Sequence, residues 1–473
     1  MPGDTTTNPK SRSRGGCANC KKRKRKCDQM RPACLQCQRR KVVCEGYQVK
    51  LQWDWGIASR GAFTRAVLPV LPSSGPGRAL VAENDPRSPS STIRTEESEG
   101  WNFQNEESRR LFSHFLQSGV HTLYSTSTHS WITDMMADLA AESPAHLAAC
   151  VALQILQERD SMEKFHLCFE SALQVFRSEL SLGSGAIRRG TLNAGLLLCT
   201  LSIDQGIPWT NHILCMVRLY GLDGDDWPAS YFTDSYISQL LEVMGVMDLP
   251  RLVIGRQTPA LGIWARTRRA QALHHGRIQG GIETVTGVPR TLLDILARDD
   301  NALVERDLWQ WQGEDNGELL QAHLWDAWRL AGILLVRRQR RQCRLSDASV
   351  RDDDDGERCA PSSKHLLWRL VAALEAVRFG LQQVENKHLL VANGTFFPFV
   401  IAGTESALLR EEPTWLVPLE RIREVSPRIN PAQNVRTACE ILGQAWAELE
   451  SAVDEVYDLE RAIMAWGGEL AMF

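Results

Sequence analysis

The chain has little of what would place it in or across a membrane. Its first residues, 1–16, contain no apolar stretch, so a secretory signal is not expected. The longest nearly apolar run, residues 194–203, is about half of the roughly 20 residues that a membrane-spanning helix needs. We therefore expect a soluble intracellular protein without a membrane partner. In that reducing setting, clustered cysteines indicate metal ligands before disulfides.

Motifs of the common enzyme classes are lacking too. The sequence has no P-loop, no G-x-G-x-x-G after a strand, no H-E-x-x-H and no G-x-S-x-G. We therefore expect no enzymatic activity. Trp209 and His212 either make core contacts, which is the interpretation that we favour, or mark an effector site.

Positive charge is concentrated at one end of the chain. Residues 10–50 contain fourteen Lys or Arg against Asp28 and Glu45, a net charge of +12 over 41 residues. The whole chain has a formal charge of −3, so the remainder sums to −15. A compact basic end on an acidic body indicates a polyanionic partner.

Composition separates three regions before residue 105. Residues 1–16 are polar and are predicted to be disordered. Residues 17–45 carry the clustered cysteines and the positive charge. Residues 46–104 are predicted to form an extended arm and then a linker rich in Pro, Ser and Gly, without a core.

The rest of the chain shows the apolar spacing of helices. Asn105 is a plausible N-cap, and Leu111 and Phe112 follow on one helical face. Strand-like alternation is scarce throughout this part of the sequence. Residues 105–473 are therefore predicted to form a large all-α domain, interrupted at 341–363 by a disordered acidic insert.

Six of the thirteen cysteines form a duplicated pattern. The spacing C-x2-C-x6-C occurs twice, with the second copy seventeen residues after the first, at Cys17, Cys20, Cys27, Cys34, Cys37 and Cys44. A C-x2-C pair lets two thiolates reach one metal, which suits tetrahedral zinc. Six thiolates fill the eight positions around two zinc ions only if two of them bridge, and the duplication makes Cys17 and Cys34 the natural bridges. Because so short a segment has little core, the metal must supply most of its folding free energy.

The segment Cys17-Ala-Asn-Cys-Lys-Lys-Arg-Lys-Arg-Lys-Cys27, followed by Pro32 and Cys34-Leu-Gln-Cys37, closely resembles the fungal zinc binuclear cluster transcription factors. The resemblance implies a small zinc-stapled domain of two short helix-plus-loop units, with Pro32 in the loop between them. It also implies two zinc ions per chain. One is held by Cys17, Cys20, Cys27 and Cys34, and the other by Cys34, Cys37, Cys44 and Cys17.

Six consecutive cations lie between two of these cysteines, from Lys21 to Lys26. Like charges at such spacing repel in a helix, so the run indicates a negatively charged partner such as the phosphates of DNA. A solvated face and a nuclear import signal are the alternatives, and import is compatible with DNA binding. The resemblance implies that the short helix after Cys20 enters the major groove.

The same resemblance assigns contacts within the basic run. Arg23 and Lys24 match positions that relatives use at the base edges and backbone of a CGG triplet, whereas Lys21 and Lys26 match positions that serve phosphates. A cation near the O6 and N7 acceptors of guanine is the expected chemistry. The seventeen-residue repeat maps Arg23 and Lys24 onto two further predicted backbone contacts, Arg40 and Lys41.

Apolar and polar residues alternate from Tyr47 to Ile57, which is typical of an extended strand rather than of a coiled-coil seam. This segment either packs onto the cluster or body, as we favour, or reaches along DNA. The run through Gly56-Ile-Ala-Ser-Arg60-Gly61 resembles the subset of the family typified by acriflavine-sensitivity regulators. Because no coiled-coil pattern follows the cysteine cluster, self-association is predicted to occur through the helical body.

Stretches of the body resemble the fungal-specific transcription factor domain, among them Ser143-Pro144-Ala145, Leu196-Leu-Leu-Cys199 and Phe397-Pro398. The resemblance implies a regulatory domain without catalytic residues. A second basic patch, residues 337–341, is interpreted as a charged helix end, with an import signal as the alternative.

Two functions follow from these patterns. The first is a sequence-specific transcription regulator of RNA polymerase II genes, with the nucleus as its compartment and with double-stranded DNA and the transcription machinery as partners. A homodimer through the helical body is also expected. The alternative is a zinc-stabilised protein-interaction module that does not read DNA. Charge favours the first, because an interaction module has no need of +12 over 41 residues.

Overall fold

A computed structural model divides the chain into two units, Met1–Ser90 and Ser91–Phe473. It describes residues 20, 23, 27–28, 34–40, 42, 44, 56–57, 66–67, 105–125, 130–159, 161–181, 187–277, 280–315, 317–346, 361–389, 391–429, 432–449 and 459–473. The predicted N-terminus, 1–16, and most of the predicted arm and linker, 46–104, lie outside these residues.

The described part of the first unit includes a short helix and a pair of strands. Helix α1 spans Leu35–Arg39 and begins at Cys34, whose side chain accepts a hydrogen bond from the Cys37 amide. Strands β1 (Gly56–Ile57) and β2 (Ala66–Val67) pair antiparallel. The end of the alternating segment is therefore extended, while its first residues, 47–55, lie outside the described part.

The second unit is largely helical, as predicted. Its helices are α2 (Glu106–Gln117), α3 (Ser130–Glu142), α4 (Pro144–Glu158), α5 (Met162–Ser181), α6 (Arg189–Asp204), α7 (Thr210–Leu219), α8 (Ser230–Thr233), α9 (Ser235–Met247), α10 (Ile263–His275), α11 (Arg290–Leu296), α12 (Asn301–Gln310), α13 (Leu319–Ser346), α14 (Ser363–Gly380), α15 (Phe396–Gly403), α16 (Ser406–Glu411), α17 (Leu416–Ile429), α18 (Gln433–Ala447) and α19 (Leu459–Trp466). Short 3₁₀ turns cover Gly119–Leu123, Pro250–Leu252, Val384–Leu389, Asn393–Thr395 and Pro413–Trp415. Over the described residues, each helix is too short or too polar to cross a membrane.

Polar side chains begin several of these helices. Asn105 accepts hydrogen bonds from the amides of Glu107 and Ser108, at 2.9 and 3.4 Å, which confirms the predicted N-cap of α2. At the start of α4, the Ser143 hydroxyl accepts from the His146 amide and Pro144 occupies the first turn, where its missing N–H costs nothing. Local sequence therefore fixes where these helices begin.

Two hydrophobic clusters form the core of the body. Helix α4 packs against α2, α5 and α6 in the first cluster, and α13 packs against α12, α14 and α15 in the second. With 28 residues, α13 is about 42 Å long. Trp328 on α13 is fully buried, its Nε1–H donates to the Gly394 carbonyl at 2.7 Å, and its ring lies 4.6 Å from that of Phe397. Trp328 therefore anchors the packing of α13 against the segment around Phe397.

The end of α13 corrects the predicted insert at 341–363. The helix extends to Ser346, and α14 begins at Ser363, while residues 347–360 lie outside the described part. Arg337 pairs with buried Glu305 at 2.8 Å, and Arg341 pairs with buried Glu405 at 3.2 Å. These ion pairs hold the basic patch 337–341 inside the helix, which continues to Ser346, so the patch is not the helix end that was predicted.

The segment after α19 packs against β3 and the start of α7. Strand β4 (Leu470–Ala471) pairs antiparallel with β3 (Val253–Ile254). Glu469, fully buried, accepts hydrogen bonds from the backbone amides of Trp209 and Thr210, at 2.7 and 2.9 Å, and from the Thr210 hydroxyl. The carboxylate thereby satisfies donors at the start of α7, where negative charge is favourable. Trp209 is therefore a core residue, in agreement with the favoured interpretation.

Candidate metal centre

Five of the six patterned cysteines converge within the first unit. Cys20, Cys27, Cys34 and Cys37 are buried, and Cys44 is partly buried. They form two groups whose sulfur atoms lie within 4.8 Å of one another, Cys20–Cys27–Cys34 and Cys34–Cys37–Cys44. Cys34, the least exposed of them, belongs to both groups. Cys17 lies outside the described residues.

The sulfur spacing fits tetrahedral zinc. The Sγ atoms of Cys20 and Cys34 are 3.7 Å apart. Two thiolates at the usual Zn–S distance of about 2.3 Å and a tetrahedral angle are separated by roughly 3.8 Å. The donor set, thiolate sulfur alone, is also one that zinc prefers in structural sites. The described thiols could therefore hold two metal ions, with three thiols at each and Cys34 common to both.

Helix α1 positions the second group. Cys34 stands at its N-cap and Cys37 lies one turn later, so both thiols project toward the same side. The Cys37 amide donates to the Cys34 sulfur at 3.3 Å, a contact that stabilises negative charge on that sulfur. The backbone then turns back, because the Val42 amide donates to the Cys37 carbonyl at 3.1 Å, and this turn leads to Cys44.

Asp28 also contributes to this arrangement, although the sequence pattern did not predict it. Its carboxylate accepts from the backbone amides of Leu35 and Gln36, at 3.0 and 3.4 Å, at the start of α1. It therefore caps a helix seven residues further along and ties the residue after Cys27 to the second half of the unit. The signal that could have revealed it is its isolation, since Asp28 is one of two acids within residues 10–50.

The predicted DNA-contacting residues are described only in part. Arg23 and Arg40 are exposed to solvent, as contacts with an external partner require. Arg39, beside them in sequence, is exposed as well. The other predicted contacts lie outside the described residues: Lys21, Lys24, Lys26 and Lys41.

A buried cysteine–histidine contact in the body is not a catalytic pair. His146 Nε2 lies 3.2 Å from the Met136 carbonyl and 3.4 Å from Cys150 Sγ. Because the carbonyl can only accept, Nε2 carries the proton and cannot take one from the thiol. Burial lowers the pKa of His146 to about 4 and raises the pKa of the Cys150 thiol well above its usual value. Both groups are therefore neutral and shielded, which is unlike an activated nucleophile.

Comparison with known proteins agrees with the thiol geometry. Residues 15–54 match the family described as the fungal Zn(2)-Cys(6) binuclear cluster domain. This domain binds zinc through six cysteines and is typical of fungal DNA-binding transcription regulators, rather than of enzymes. Searches among curated proteins and among solved structures found no match to the chain. The first unit thus contains a zinc binuclear cluster domain, and the second is a largely helical unit.

Proposed function

We propose that this protein is a sequence-specific transcription regulator that acts in the nucleus on genes transcribed by RNA polymerase II. The observation that carries the proposal is the pair of thiol groups sharing Cys34, within the segment that matches the zinc cluster domain. In this proposal Cys17, outside the described residues, is the second shared ligand. Two zinc ions then have four thiolates each.

The proposed DNA contacts are those that the family resemblance implies for the same unit. Lys24 and Arg23 contact the base edges and backbone of a CGG triplet in the major groove, and Lys21 and Lys26 neutralise phosphates. Arg40 and Lys41 contact the backbone from the second half of the unit. The exposure of Arg23 and Arg40 supports this arrangement, as does the net charge of +12 over residues 10–50.

Binding of the full chain to duplexes, measured by fluorescence anisotropy over a range of salt, tests this function. We expect tighter binding to a CGG-containing duplex than to a scrambled one. Lys24→Ala should cost about 1–3 kcal/mol on the CGG duplex and reduce the preference, since it removes a base contact. Lys21→Ala should weaken binding to both duplexes alike and lower the salt slope by about one unit.

Each outcome decides between the two functional hypotheses. Equal losses from both variants on both duplexes would contradict the proposed groove orientation. Absence of DNA binding by the zinc-loaded chain would favour the protein-interaction module instead. Lys364→Ala is a matched control, because this lysine of the body pairs with Glu411 and Glu412 and should leave DNA binding unchanged.

One zinc cluster that recognises a single base triplet is not specific enough to select a DNA site, so a second DNA contact is needed. Three base pairs at about 1–3 kcal/mol each cannot select a site in a genome. A second chain would supply a second triplet contact, and the proposed interface lies on the body. Trp368 and Phe379 support this, since they are 53% and 61% exposed and lie eleven residues, or three turns, apart on one face of α14.

Ultracentrifugation of the full chain and of residues 1–100 and 100–473 tests self-association. The full chain and the second fragment should be dimeric and the first fragment monomeric. Phe379→Glu should shift the dimer toward monomer, because it places a charge on the proposed apolar contact, whereas Leu167→Glu on α5 should not. A dimeric first fragment beside a monomeric body would overturn the assignment.

A further inference from the structure

A cavity of about 620 Å³ lies within the helical body, and one face of α6 runs along it. The α6 residues that line the cavity are Asn193, Leu196, Leu197, Thr200, Ile203 and Asp204. They recur every three or four positions, which is the spacing of a single helical face. The first and the last of them are about 16 Å apart along the helix axis. The cavity is therefore elongated and follows α6.

The two ends of this helical wall differ in exposure. Asn193 is 3% exposed, and the leucines that follow it are also buried. Asp204 and Gln205, at the end of α6, are partly exposed, and Arg159, which lines the same cavity, is exposed. The cavity thus has an enclosed end beside Asn193 and opens to solvent near the end of α6.

Much of the wall is apolar. Leu153, Phe165 and Met247, from α4, α5 and α9, line the cavity together with the leucines of α6. The Thr200 hydroxyl donates to the Leu196 carbonyl at 3.2 Å, so the helix itself satisfies this polar group. A space of this size, mainly apolar with a few polar groups, is typical of a site for a small organic molecule.

Two buried polar side chains of the wall have hydrogen-bonding capacity that the fold does not use. Tyr124 is 4% exposed and Asn193 is 3% exposed. Among the described residues, none forms a hydrogen bond with the Tyr124 hydroxyl, and none donates to Asn193 Oδ1. Both atoms keep accessible surface, unlike the Tyr220 hydroxyl, which is fully buried. Because the two residues are otherwise enclosed by protein, this surface faces the cavity.

Contacts around Met136 place the two groups at the same end of the cavity. Asn193 Nδ2 donates to Met136 Sδ at 3.4 Å, and the Met136 carbonyl and the Cys150 thiol both contact the ring of one histidine. Burial, Glu283 and Cys150, in that order, raise the pKa of the Tyr124 hydroxyl, so Cys150 lies near that hydroxyl. Tyr124 and Asn193 are therefore neighbours of one group of residues, at the enclosed end.

Other amides of the wall are already used by the fold. Asn393 Nδ2 donates to the Tyr124 carbonyl at 2.8 Å, and Gln157 Nε2 donates to the Thr122 hydroxyl at 2.6 Å. These two donors hold the 3₁₀ turn before Tyr124 in place. The Tyr124 hydroxyl and Asn193 Oδ1 are thus the groups of this end that a ligand can engage.

The charged residues of the described wall are all accessible to solvent. Arg159 is exposed, and Arg436 and Asp204 are partly exposed, so an ion pair with any of them adds little to affinity. Glu283 does not line the cavity, and its carboxylate already accepts from two backbone amides. A charged ligand group at the enclosed end would therefore lose its hydration without a partner of opposite charge. A neutral polar group is favoured there.

We propose that this cavity binds an elongated, mainly apolar molecule with one terminal hydroxyl, which enters first, accepts from the Tyr124 hydroxyl and donates to Asn193 Oδ1. A hydroxyl has one donor and two acceptor sites, which matches these two groups. A ligand that placed its apolar end there would displace water from both groups without replacing the hydrogen bonds. This site is independent of the zinc cluster and of the proposed DNA contacts, so either proposal can fail alone.

Calorimetric titration of the full chain with 1-decanol, decanoate and decylamine tests the site. The three probes share one chain and differ in charge. At pH 8 we expect the alcohol to bind at least tenfold more tightly than the acid or the amine. Between 1-hexanol and 1-decanol the affinity should rise about fourfold for each methylene group, because the chain lies against apolar wall.

Two substitutions test the contacts at the enclosed end. Tyr124→Phe and Asn193→Leu should each lower the affinity for 1-decanol about fivefold, since each removes one hydrogen bond to the ligand. Tyr124→Phe should keep the Tm of the parent, because the hydroxyl forms no hydrogen bond among the described residues. The matched control is Tyr220→Phe, which removes a buried hydroxyl outside the cavity and should leave the affinity unchanged.

Filling the cavity tests its location. Thr200→Phe places a large apolar side chain in the middle of the α6 face, so it should abolish binding of all the alcohols and keep the Tm. Binding of 1-decanol that this variant does not change would overturn the proposal. So would preferential binding of decanoate that is lost in Arg436→Gln, which would place the polar group at the open end. An affinity that either Tyr124→Phe or Asn193→Leu leaves unchanged, or no binding of any alcohol, would overturn it as well.

Discussion

The two units of this protein bury different chemistry. In the first unit, the buried residues that the structure describes are four cysteines, with Val42 and Cys44 partly buried beside them. In the second, two large clusters of leucine, valine, phenylalanine and tryptophan form the core. The body can fold on hydrophobic burial alone, whereas the first unit has thiols where a core would be.

Because of this difference, the two units should lose stability in different ways when buried groups are removed. Structural zinc supplies about 10–16 kcal/mol of apparent binding free energy in small zinc domains, and all of it disappears with the metal. In the body, each side chain contributes a few kcal/mol to a core of many members. We therefore expect the first unit to unfold completely when zinc is removed. Single substitutions in the core of the body should instead lower its stability by degrees.

Removal of zinc should separate the two units most sharply. The full chain should contain two zinc ions, and excess chelator should abolish DNA binding while most of the helical circular dichroism persists, because the described core of the body is hydrophobic. Atomic absorption, anisotropy and dichroism on the same sample measure the three quantities. A stoichiometry of one, or global loss of helix on chelation, would break the comparison.

Substitution of single cysteines should have the next largest effect, measured as bound zinc per chain. Cys34 belongs to both sulfur groups and Cys20 to one. Cys34→Ala should therefore reduce bound zinc well below one ion per chain, whereas Cys20→Ala should retain about one. The control is Cys215→Ala, which removes an exposed thiol of the body and should keep two ions. Equal zinc loss in the Cys20 and Cys34 variants would argue against a shared ligand.

Much of this comparison could be predicted from the sequence, because its signals are local. Cysteine spacing predicted the cluster, and the Asn105 cap predicted the start of α2. Asp28 was missed because its partners, Leu35 and Gln36, lie seven and eight residues further along the chain, outside the spacing of a local helix cap. The insert was predicted to begin at residue 341, whereas α13 continues to Ser346 and Arg341 pairs with Glu405, sixty-four residues away. Contacts between distant residues leave no periodic pattern.

The β3–β4 pair could not be predicted either, because it joins residues that are far apart in the sequence. Two-residue strands are too short to show alternation, and Val253 meets Ala471 across more than two hundred residues.

Truncation in the core of the body should give a smaller, graded effect. Leu334 on α13 is fully buried, whereas Leu319 on the same helix is 78% exposed. Leu334→Ala should lower the free energy of unfolding of the body by about 2–5 kcal/mol, and Leu319→Ala should change it by no more than about 0.5 kcal/mol. Denaturant unfolding followed by helical dichroism measures both. Loss of zinc in either variant would show that the units do not respond separately.

The smallest effects are expected from removing a helix-capping side chain, of which one is considered in each unit. Asp28 caps α1 and Asn105 caps α2, and each accepts hydrogen bonds from two backbone amides. Replacing either residue with Ala should cost about 1 kcal/mol of local helix stability.

The two caps should nevertheless differ in what is lost. Helix α1 carries Cys34 and Cys37, so Asp28→Ala should speed the transfer of zinc to a chromogenic chelator roughly fivefold. Helix α2 carries no patterned cysteine, so Asn105→Ala should leave zinc transfer unchanged and lower the Tm of the body by about 1 °C. If Asp28→Ala leaves zinc transfer at the parent rate, its hydrogen bonds to α1 do not hold the thiols in place.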